Sequence, residues 1–366
     1  MIWLPCFILS ALSLLLLAGV LDSGHASLLR ITGRNLAVQG ASILIGICGA
    51  VVVSLIDYRD LSRLWKFYAP ICYTLLLLTF FIGVGAVDRP DDRRWLLLPG
   101  LGISFQPAEL LRIAFILMFA YHLFKVKERL NHPLYLAGLL AHGAVPVILV
   151  YFQGDGGSAL IFAAIVACML FGAGLSWKYI ASATLLAGVS LPVIWNFVLS
   201  EFQRNRILEL YYRTDTQGVF FQQHRALTAL AFGGRGGRGL FGLSDPHIYV
   251  PEMHNDFIFA FLGESIGFVG TLLTILVMVV LWFKILRCAG KAKDALGYMI
   301  CMGVFAMLAF QASINIGMNV SVLPVIGNTL PFLSYGGSSV VTSYLGIGFV
   351  LSVSMHSSKS MFDSEE

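Results

Sequence analysis

The sequence predicts an all-α polytopic membrane protein of about ten transmembrane helices, with a large extracytoplasmic loop between the seventh and the eighth. Hydrophobic residues make up 58% of the 366 residues and charged residues only 12%, whereas soluble domains carry about 25% charged residues. The mean hydropathy is +0.82. Apolar runs of about 20 residues, the length that crosses a bilayer, recur along the chain. This composition excludes an ordinary soluble domain.

The predicted spans follow the chain in order: 3–20, 36–56, 68–87, 109–126, 133–152, 158–175, 179–199, 256–286, 296–318 and 339–355. The first run has neither a cationic start nor an evident cleavage site, so we expect a retained helix and not a signal peptide. We expect residues 1–366 to form one membrane domain. Its large outer loop is 200–255, and a second outer loop, 319–338, has the prolines and glycines of a re-entrant element packed on protein.

The distribution of Lys and Arg predicts the orientation. Short loops on one side of the membrane carry twelve of these cations, and short loops on the other side carry five. The 200–255 loop carries six more, but long loops are exempt from the positive-inside rule. We therefore expect both termini to be cytoplasmic and the long loop to lie outside. All eight Lys lie on the inner side. Since Arg binds phosphate bidentately and Lys does not, an outer face with Arg alone suits a phosphate ligand, although chance avoidance of Lys explains the same pattern.

Two acids begin the eighth predicted span, Asp256 at its mouth and Glu264 two turns deeper. A carboxylate in hydrocarbon costs roughly 2.5–3.5 kcal/mol even on insertion scales, so such residues normally face a protein or water-filled interior and are candidates for function. A helix N-cap at the water boundary explains Asp256 equally well. A buried ion pair explains Glu264 equally well.

Two further polar sites lie near the ends of other spans. Glu109 and Arg112 are three residues apart and share one face of the fourth span, either as a structural salt bridge or with one partner lining a polar cavity. Asp155, in the QGDGGS turn at 153–158, is a candidate ligand-binding acid, although capping of the following helix is the favoured interpretation.

The 200–255 loop mixes arginines, including Arg206, with leucines and aromatic residues, a composition typical of short interfacial helices. It also contains the segment GGRGGRGLFG at 233–242, which includes Arg238. Such a loop lets backbone amides approach an anion, but alone it is a weak signal. The six Cys and eight His show no zinc-ligand spacing, and no nucleotide-hydrolysis or serine-nucleophile motif occurs.

Together these segments closely resemble the SEDS family (shape, elongation, division and sporulation), the RodA, FtsW and SpoVE group of membrane glycosyltransferases that polymerise peptidoglycan. The matching motifs cover nearly the whole chain in the expected order: RRWL at 93–96, FQPAELLR at 105–112, QGD with GS at 153–158, GGRGGRGLFG at 233–242, VPEMHNDFIFAFLGESIGFVG at 250–270 and NIGMNVSVLPVIGNTLPFLSYGGSS at 315–339. The short amino terminus and compact tail look more like the elongation member RodA. Two departures are Gly154, where the family usually has proline, and Arg225-Ala226, where it usually has Gln-Ser.

The resemblance implies polymerisation of lipid II, a polyprenyl-pyrophosphate-linked substrate, at the outer face of the bacterial cytoplasmic membrane during elongation. It implies that Asp256 is the catalytic acid, acting as general base, while Arg206, Arg238 and Arg112 neutralise the pyrophosphate. The other expected substrate-binding residues are Glu109, Asp155, Glu264, Ser334 and Tyr335. No cofactor is certain, although a divalent cation (Mg²⁺ or Mn²⁺) would also suit the pyrophosphate.

The partner that the resemblance implies is a class B penicillin-binding protein within an elongation or division complex, and no nucleic acid is expected. Its helix would dock on outward residues of the eighth and ninth spans, for example Leu272, Ile275, Val279 and Leu281. Two other functions stay open. A lipid II flippase would also need polar residues between its helices, and a non-catalytic scaffold for the penicillin-binding protein would tolerate neutral replacements of the acids.

Overall fold

The computed structural model describes residues 2–85, 92–98, 103–215, 217–218, 220–242 and 245–357. Within this part of the chain lie thirteen α-helices: α1 Trp3–Asp22, α2 Gly33–Leu55, α3 Tyr58–Arg63, α4 Trp65–Ile82, α5 Pro107–Val126, α6 Pro133–Phe152, α7 Gly156–Gly172, α8 Trp177–Val193, α9 Glu201–Tyr212, α10 Phe221–Gly233, α11 Ile258–Ala289, α12 Ala295–Asn319 and α13 Gly337–Ser357. A 3₁₀ turn, Lys127–Arg129, follows α5, and a π-helical turn, Ile194–Val198, continues α8.

Eight of these helices are long and apolar enough to cross a membrane: α1, α2, α4, α6, α8 with its π-helical turn, α11, α12 and α13. The all-α polytopic membrane class is therefore confirmed. The other two predicted spans are helices α5 and α7, of which α7 has only 17 residues. The total of ten spans stays a prediction.

The predicted boundaries differ from the observed ones by a few residues at most helix ends. The third predicted span, 68–87, has the largest shift, because α4 ends at Ile82 and Val84 then pairs with Trp95 as an isolated β-bridge. Two short antiparallel strands follow, β1 Leu96–Leu98 and β2 Ile103–Phe105. Residues 86–91 and 99–102 of this outer segment, and the tail beyond Ser357, lie outside the described residues.

The core of the bundle is built around α12, which packs against α5, α7 and α11, and around α13, which runs along α2. Glycines permit the close approach of α2 and α13. A Cβ at Gly46 would stand 2.9 Å from the Tyr344 ring, and one at Gly348 would stand 2.8 Å from the backbone of Ala50. Because lipid is as apolar as the side chains, such close packing is a main source of helix association in membranes. In contrast, no residue of α8 is buried.

The bundle has two distinct ends, which we call the cavity end and the opposite end. Asp294 pins the opposite end: its carboxylate caps α12 and accepts hydrogen bonds from the Tyr58 hydroxyl (2.9 Å) and Arg59 Nε (2.7 Å). Helix α1 runs toward the cavity end, where Asp22 accepts a hydrogen bond from the Gly242 amide. Helix α13 runs back to the opposite end, so both described termini lie there.

The two loops predicted to be informative both belong to the cavity end. Segment 200–255 contains α9 and α10, so the short helices suggested by its composition exist. Residues 320–336 have no regular secondary structure, yet Val325, Leu330 and Leu333 are buried. Irregular backbone packed into protein in this way is what the re-entrant interpretation requires.

Candidate active site

A cavity of about 580 Å³ opens at the cavity end of the bundle. It lies where α2, α5, α7, α11 and α13 begin, between the segment before α11 and the 325–339 loop. The arginines, acids and histidine that line it are Arg30, Arg34, Arg94, Asp92, Glu109, Asp155, Glu252, His254 and Asp256. This mixture of both signs in a volume of several hundred Å³ is suited to a polar ligand with an anionic group.

Asp256 lies on the cavity wall, just before α11. The helix begins at Ile258 with Phe257 at the N-cap position, so Asp256 lies one residue before the cap. A Cβ added at Gly327 would stand 3.5 Å from Asp256 Oδ2 and 4.0 Å from Arg94 Nη1. The loop at Gly327 therefore brings a carboxylate and a guanidinium to the same part of the cavity.

Glu109 and Arg112 form a salt bridge, and one of the two also lines the cavity, so both interpretations of their spacing apply. Arg112 is fully buried and donates hydrogen bonds to Glu109 Oε2 (3.0 Å), Gln311 Oε1 (3.0 Å) and Ser158 Oγ (3.1 Å). Its guanidinium thus joins α5, α7 and α12 from inside the bundle. Of these two residues, Glu109 lines the cavity and Arg112 does not. Arg112 holds the acid in place.

Asp155 caps α7, as the sequence predicted, and it also lines the cavity. Its carboxylate accepts hydrogen bonds from the Ser158 amide (3.0 Å) and Gln106 Nε2 (2.8 Å), and Arg94 Nη1 is 3.9 Å away. The preceding Gly154 ends α6 with φ +81°. Proline is locked near −65°, so the turn differs from one built on Gln-Pro-Asp.

Arg238 and Glu264 form an ion pair with each other outside the cavity. Arg238 Nη1 lies 2.7 Å from Glu264 Oε1, and the Ile248 amide donates to the same carboxylate at 3.0 Å. The His247 ring nitrogen Nδ1 is 3.4 Å away. Neither Arg238 nor Glu264 lines the cavity. The geometry therefore does not support their expected contact with substrate, because the buried carboxylate needs the arginine to offset its desolvation.

The glycine-rich loop at 233–239 packs on α11 where that helix is broken. Gly267 has φ +68°, and the next amide, of Phe268, donates to the carbonyl of Gly234 at 2.9 Å. A Cβ at Gly267 would collide with the backbone nitrogen of Gly237. The glycines thus allow two backbones to touch, and the anion-binding use of this loop stays a prediction.

The remaining expected substrate-binding residues differ in their access to the cavity. Arg206 Nη1 donates a hydrogen bond to the carbonyl of Val325. Val325 lines the cavity and Arg206 does not, so Arg206 stabilises the 325–339 loop without lining the cavity itself. Ser334 is buried, and its hydroxyl bonds the Leu330 amide and the Asn255 carbonyl, both at 2.7 Å. Tyr335 does line the cavity.

Comparisons with known proteins show the family of this chain. A family profile of the cell cycle proteins FtsW, RodA and SpoVE matches residues 2–359. The chain belongs to this family. It is 34% identical over 325 residues to the probable peptidoglycan glycosyltransferase FtsW of Geobacter metallireducens, covering 86% of this chain and 84% of that protein. It is 32% identical over 312 residues to the peptidoglycan glycosyltransferase MrdB of Escherichia coli K12, covering 84% and 83%.

Solved structures share the fold of this FtsW, RodA and SpoVE family member. One is a chain from a peptidoglycan synthase complex that coordinates polymerization and crosslinking, with a TM-score of 0.78, 24% identity and 98% coverage of both chains. Another is the rod shape determining protein RodA of Thermus thermophilus, with a TM-score of 0.68, 22% identity, and coverage of 98% of this chain and 97% of that one.

Several cavity residues were missed by the sequence analysis. His254 Nδ1 and Asn255 Oδ1 are buried at the wall and, among the described residues, have no hydrogen-bond partner. Unsatisfied buried polar atoms are rare and mark functional or water-filled sites. Arg30 and Arg34 were counted only as outer-face cations, and Arg94 was given no role in the site. His254, Asn255 and Arg94 stand inside the matching motifs, and that position was the available signal.

A divalent cation finds no ready-made site in the described part of the chain. No group of three or more His, Cys, Asp or Glu side chains there comes close enough to hold a metal ion. Asp155 uses both carboxylate oxygens for hydrogen bonds. The described residues therefore contain no preformed metal cluster, and a divalent cation stays a prediction.

Burial lowers the pKa of His254 to about 4. The unfolded chain, with a His pKa of about 6.5, then binds a proton that the folded protein rejects, so stability falls as pH drops below about 6.5. We predict that lowering the pH from about 7.5 to about 5.5 costs about 1.4 kcal/mol through His254 alone. Unfolding measured in detergent should show this loss in wild type and a correspondingly smaller one in His254→Gln. Equal losses in both proteins would contradict the assignment.

Proposed function

We propose that this chain is a peptidoglycan glycosyltransferase that joins polyprenyl-pyrophosphate-linked sugars, the lipid II class, into glycan strands. The observation that carries the proposal is the polar cavity with Asp256 on its wall beside Arg94. Relatives named peptidoglycan glycosyltransferase, FtsW and MrdB, match 86% and 84% of the chain. The chain is about equally identical to both relatives, 34% and 32%. This supports polymerisation as the shared activity without choosing between division and elongation.

In the proposed reaction, a sugar hydroxyl of one lipid-linked substrate attacks the anomeric carbon of another. The new bond joins that oxygen to the carbon, and the bond from the carbon to the lipid pyrophosphate breaks. Asp256 removes the hydroxyl proton, the role of a carboxylate within hydrogen-bond reach of the proton transferred. His254 and Asn255, with unsatisfied atoms at the same wall, are suited to hydrogen-bond the sugars.

The leaving pyrophosphate develops negative charge, which fixed cations stabilise best in a site that excludes water. Arg30, Arg34 and Arg94 line the cavity, whereas Arg238 is held by Glu264. We therefore propose that the arginines lining the cavity bind the pyrophosphate, and not Arg206 and Arg238. Arg94 already contacts Asp92 at 2.7 Å and sits beside Asp155, so it joins the anion site to the acidic wall.

We propose that the cavity end faces outward from the bacterial cytoplasmic membrane and that both termini are cytoplasmic. The cation count supports this, because the seven Lys of the described residues fall in segments at the opposite end of the bundle. The lipid tail would then stay in the bilayer while the sugars and pyrophosphate enter the cavity. The amphiphilic substrate needs such a site at the membrane boundary.

We predict that Asp256→Asn folds and inserts normally but loses glycan polymerisation by about 10²- to 10⁴-fold, the usual cost of losing a general base. The measurement is a gel of glycan chains made by purified protein from lipid II. Asp60→Asn is the matched control and should retain wild-type activity, because Asp60 is an exposed acid at the opposite end that forms an ion pair with Arg63. Polymer from Asp256→Asn at more than a tenth of the normal rate would favour the flippase or scaffold function instead.

We predict that Arg34→Lys lowers kcat/KM by about tenfold, since it keeps the charge but loses the bidentate fork for pyrophosphate. Arg238→Lys is the comparison, because its arginine binds Glu264 outside the cavity. That variant should lower the unfolding temperature and leave KM unchanged. The opposite pattern, with KM altered only by Arg238→Lys, would return the anion site to the glycine-rich loop.

A penicillin-binding protein is the proposed partner, supported by the fold shared with a chain of a peptidoglycan synthase complex. The docking strip lies on α11, where Leu272, Leu276, Val279 and Phe283 are exposed and follow helical spacing. Leu281, expected on this face, is instead buried against the bundle. A partner transmembrane helix can cover the exposed strip without disturbing the cavity.

We predict that Leu276→Trp or Val279→Trp reduces co-purification with the cognate class B penicillin-binding protein, because the bulk blocks close helix packing. Leu44→Trp on the exposed face of α2 controls for the effect of a new lipid-facing Trp. Undiminished co-purification of both α11 variants would place the partner on another face.

A further inference from the structure

A side chain of α12 contacts the backbone on both sides of the start of α11. In a continued helix the amide of Ala260 would donate to the carbonyl of Asp256 four residues earlier. Here the Ala260 amide instead contacts the carbonyl of Phe257 at 3.1 Å and Asn319 Oδ1 at 3.1 Å. The other half of the Asn319 amide, Nδ2, donates to the carbonyl of Asp256 at 3.0 Å. One carboxamide thus stands between the two groups that a regular helix would join.

Asn319 belongs to a row of amides on the inner face of α12. Gln311, Asn315 and Asn319 are spaced by four residues, so they lie on one side of the helix, and each is at most 1% exposed. Asn315 Nδ2 also donates to the carbonyl of Asp256, at 2.8 Å, and to the carbonyl of Asn328 on the facing loop. The row therefore joins both walls of the cavity.

We propose that Asn319, supported by Asn315, is the positioning residue that keeps Asp256 off the helix and its carboxylate on the cavity wall. A carboxamide suits this task because it offers an acceptor to the Ala260 amide and a donor to the Asp256 carbonyl at once. Side-chain insertion into a helical hydrogen-bond ladder is a known cause of local helix distortion. The inference rests on the proposed function for its link to catalysis, and on contacts alone for its structural part.

Removal of the amide should shift the carboxylate, and a displacement of about 1 Å is enough to cost a hundredfold in rate. We expect Asn319→Ala to lower kcat by about ten- to hundredfold while KM changes less than about threefold. Asn131→Ala is the matched control. The Asn131 carboxamide also bridges two backbone groups, the Ser176 amide (2.7 Å) and the Gly174 carbonyl (3.3 Å), but at the opposite end. It should retain wild-type kcat.

Asn319→Asp separates positioning from mere packing, because it keeps the size of the side chain. The ionised carboxyl accepts from Ala260 but repels the carbonyl of Asp256, whereas the protonated carboxyl restores the donor. The ratio of variant to wild-type rate should therefore rise as pH falls, while the same ratio for Asn319→Ala stays flat. Dividing by the wild-type rate at each pH removes the pH dependence that the two proteins share.

Hydrogen exchange gives a readout that does not depend on activity. The peptide covering 257–262 should exchange at least about tenfold faster in Asn319→Ala, because the amide of Ala260 loses an acceptor, and at the wild-type rate in Asn131→Ala. Unchanged exchange, or a flat pH ratio for Asn319→Asp with full activity of Asn319→Ala, would overturn the proposal. A wild-type protein that makes no polymer would refute the proposed function instead, and the exchange result would still decide the positioning.

Discussion

The need to pair every polar group within an apolar bundle governs this structure. Helix α12 carries three amide side chains on its inner face, and each is paired with groups of another element. An unpaired amide in such surroundings costs several kcal/mol, so these contacts hold the neighbouring segments strongly. Through them, one helix sets the positions of α5, of the segment before α11 and of the loop at 328–329. The cavity is the space that these contacts leave between them.

The two ends of the bundle solve the problem of helix termini differently. At the opposite end, Asp294 satisfies the first turn of α12 with an ordinary cap and ties it to Tyr58 and Arg59. At the cavity end, Asp155 caps α7 with its side chain, and irregular backbone with positive φ occurs at Gly154 and Gly267 as well. Glycine permits these conformations at little steric cost. Irregular backbone lets carbonyls, amides and acids face a shared cavity instead of a helix axis.

The fold was largely accessible from sequence because lipid-facing helices must be long and apolar, a signal that survives without tertiary information. The capping role of Asp155 was accessible too, since it depends on a local turn. The sequence predicted that Glu264 forms a buried ion pair, but it did not identify the cation. That cation is Arg238, which lies 26 residues earlier in the chain and reaches Glu264 because the glycine-rich loop packs on the break in α11.

Sequence by itself determined the membrane class, the order of the helices, the side-by-side placement of Glu109 with Arg112 and the special position of Asp256 before a long apolar helix. These follow from local composition and helical periodicity. Only the tertiary structure decided which arginines line the cavity and which are held by buried acids. It also decided that Asn319 contacts both the Asp256 carbonyl and the Ala260 amide at the start of α11. Those outcomes depend on contacts between residues far apart in the chain, which no local pattern encodes.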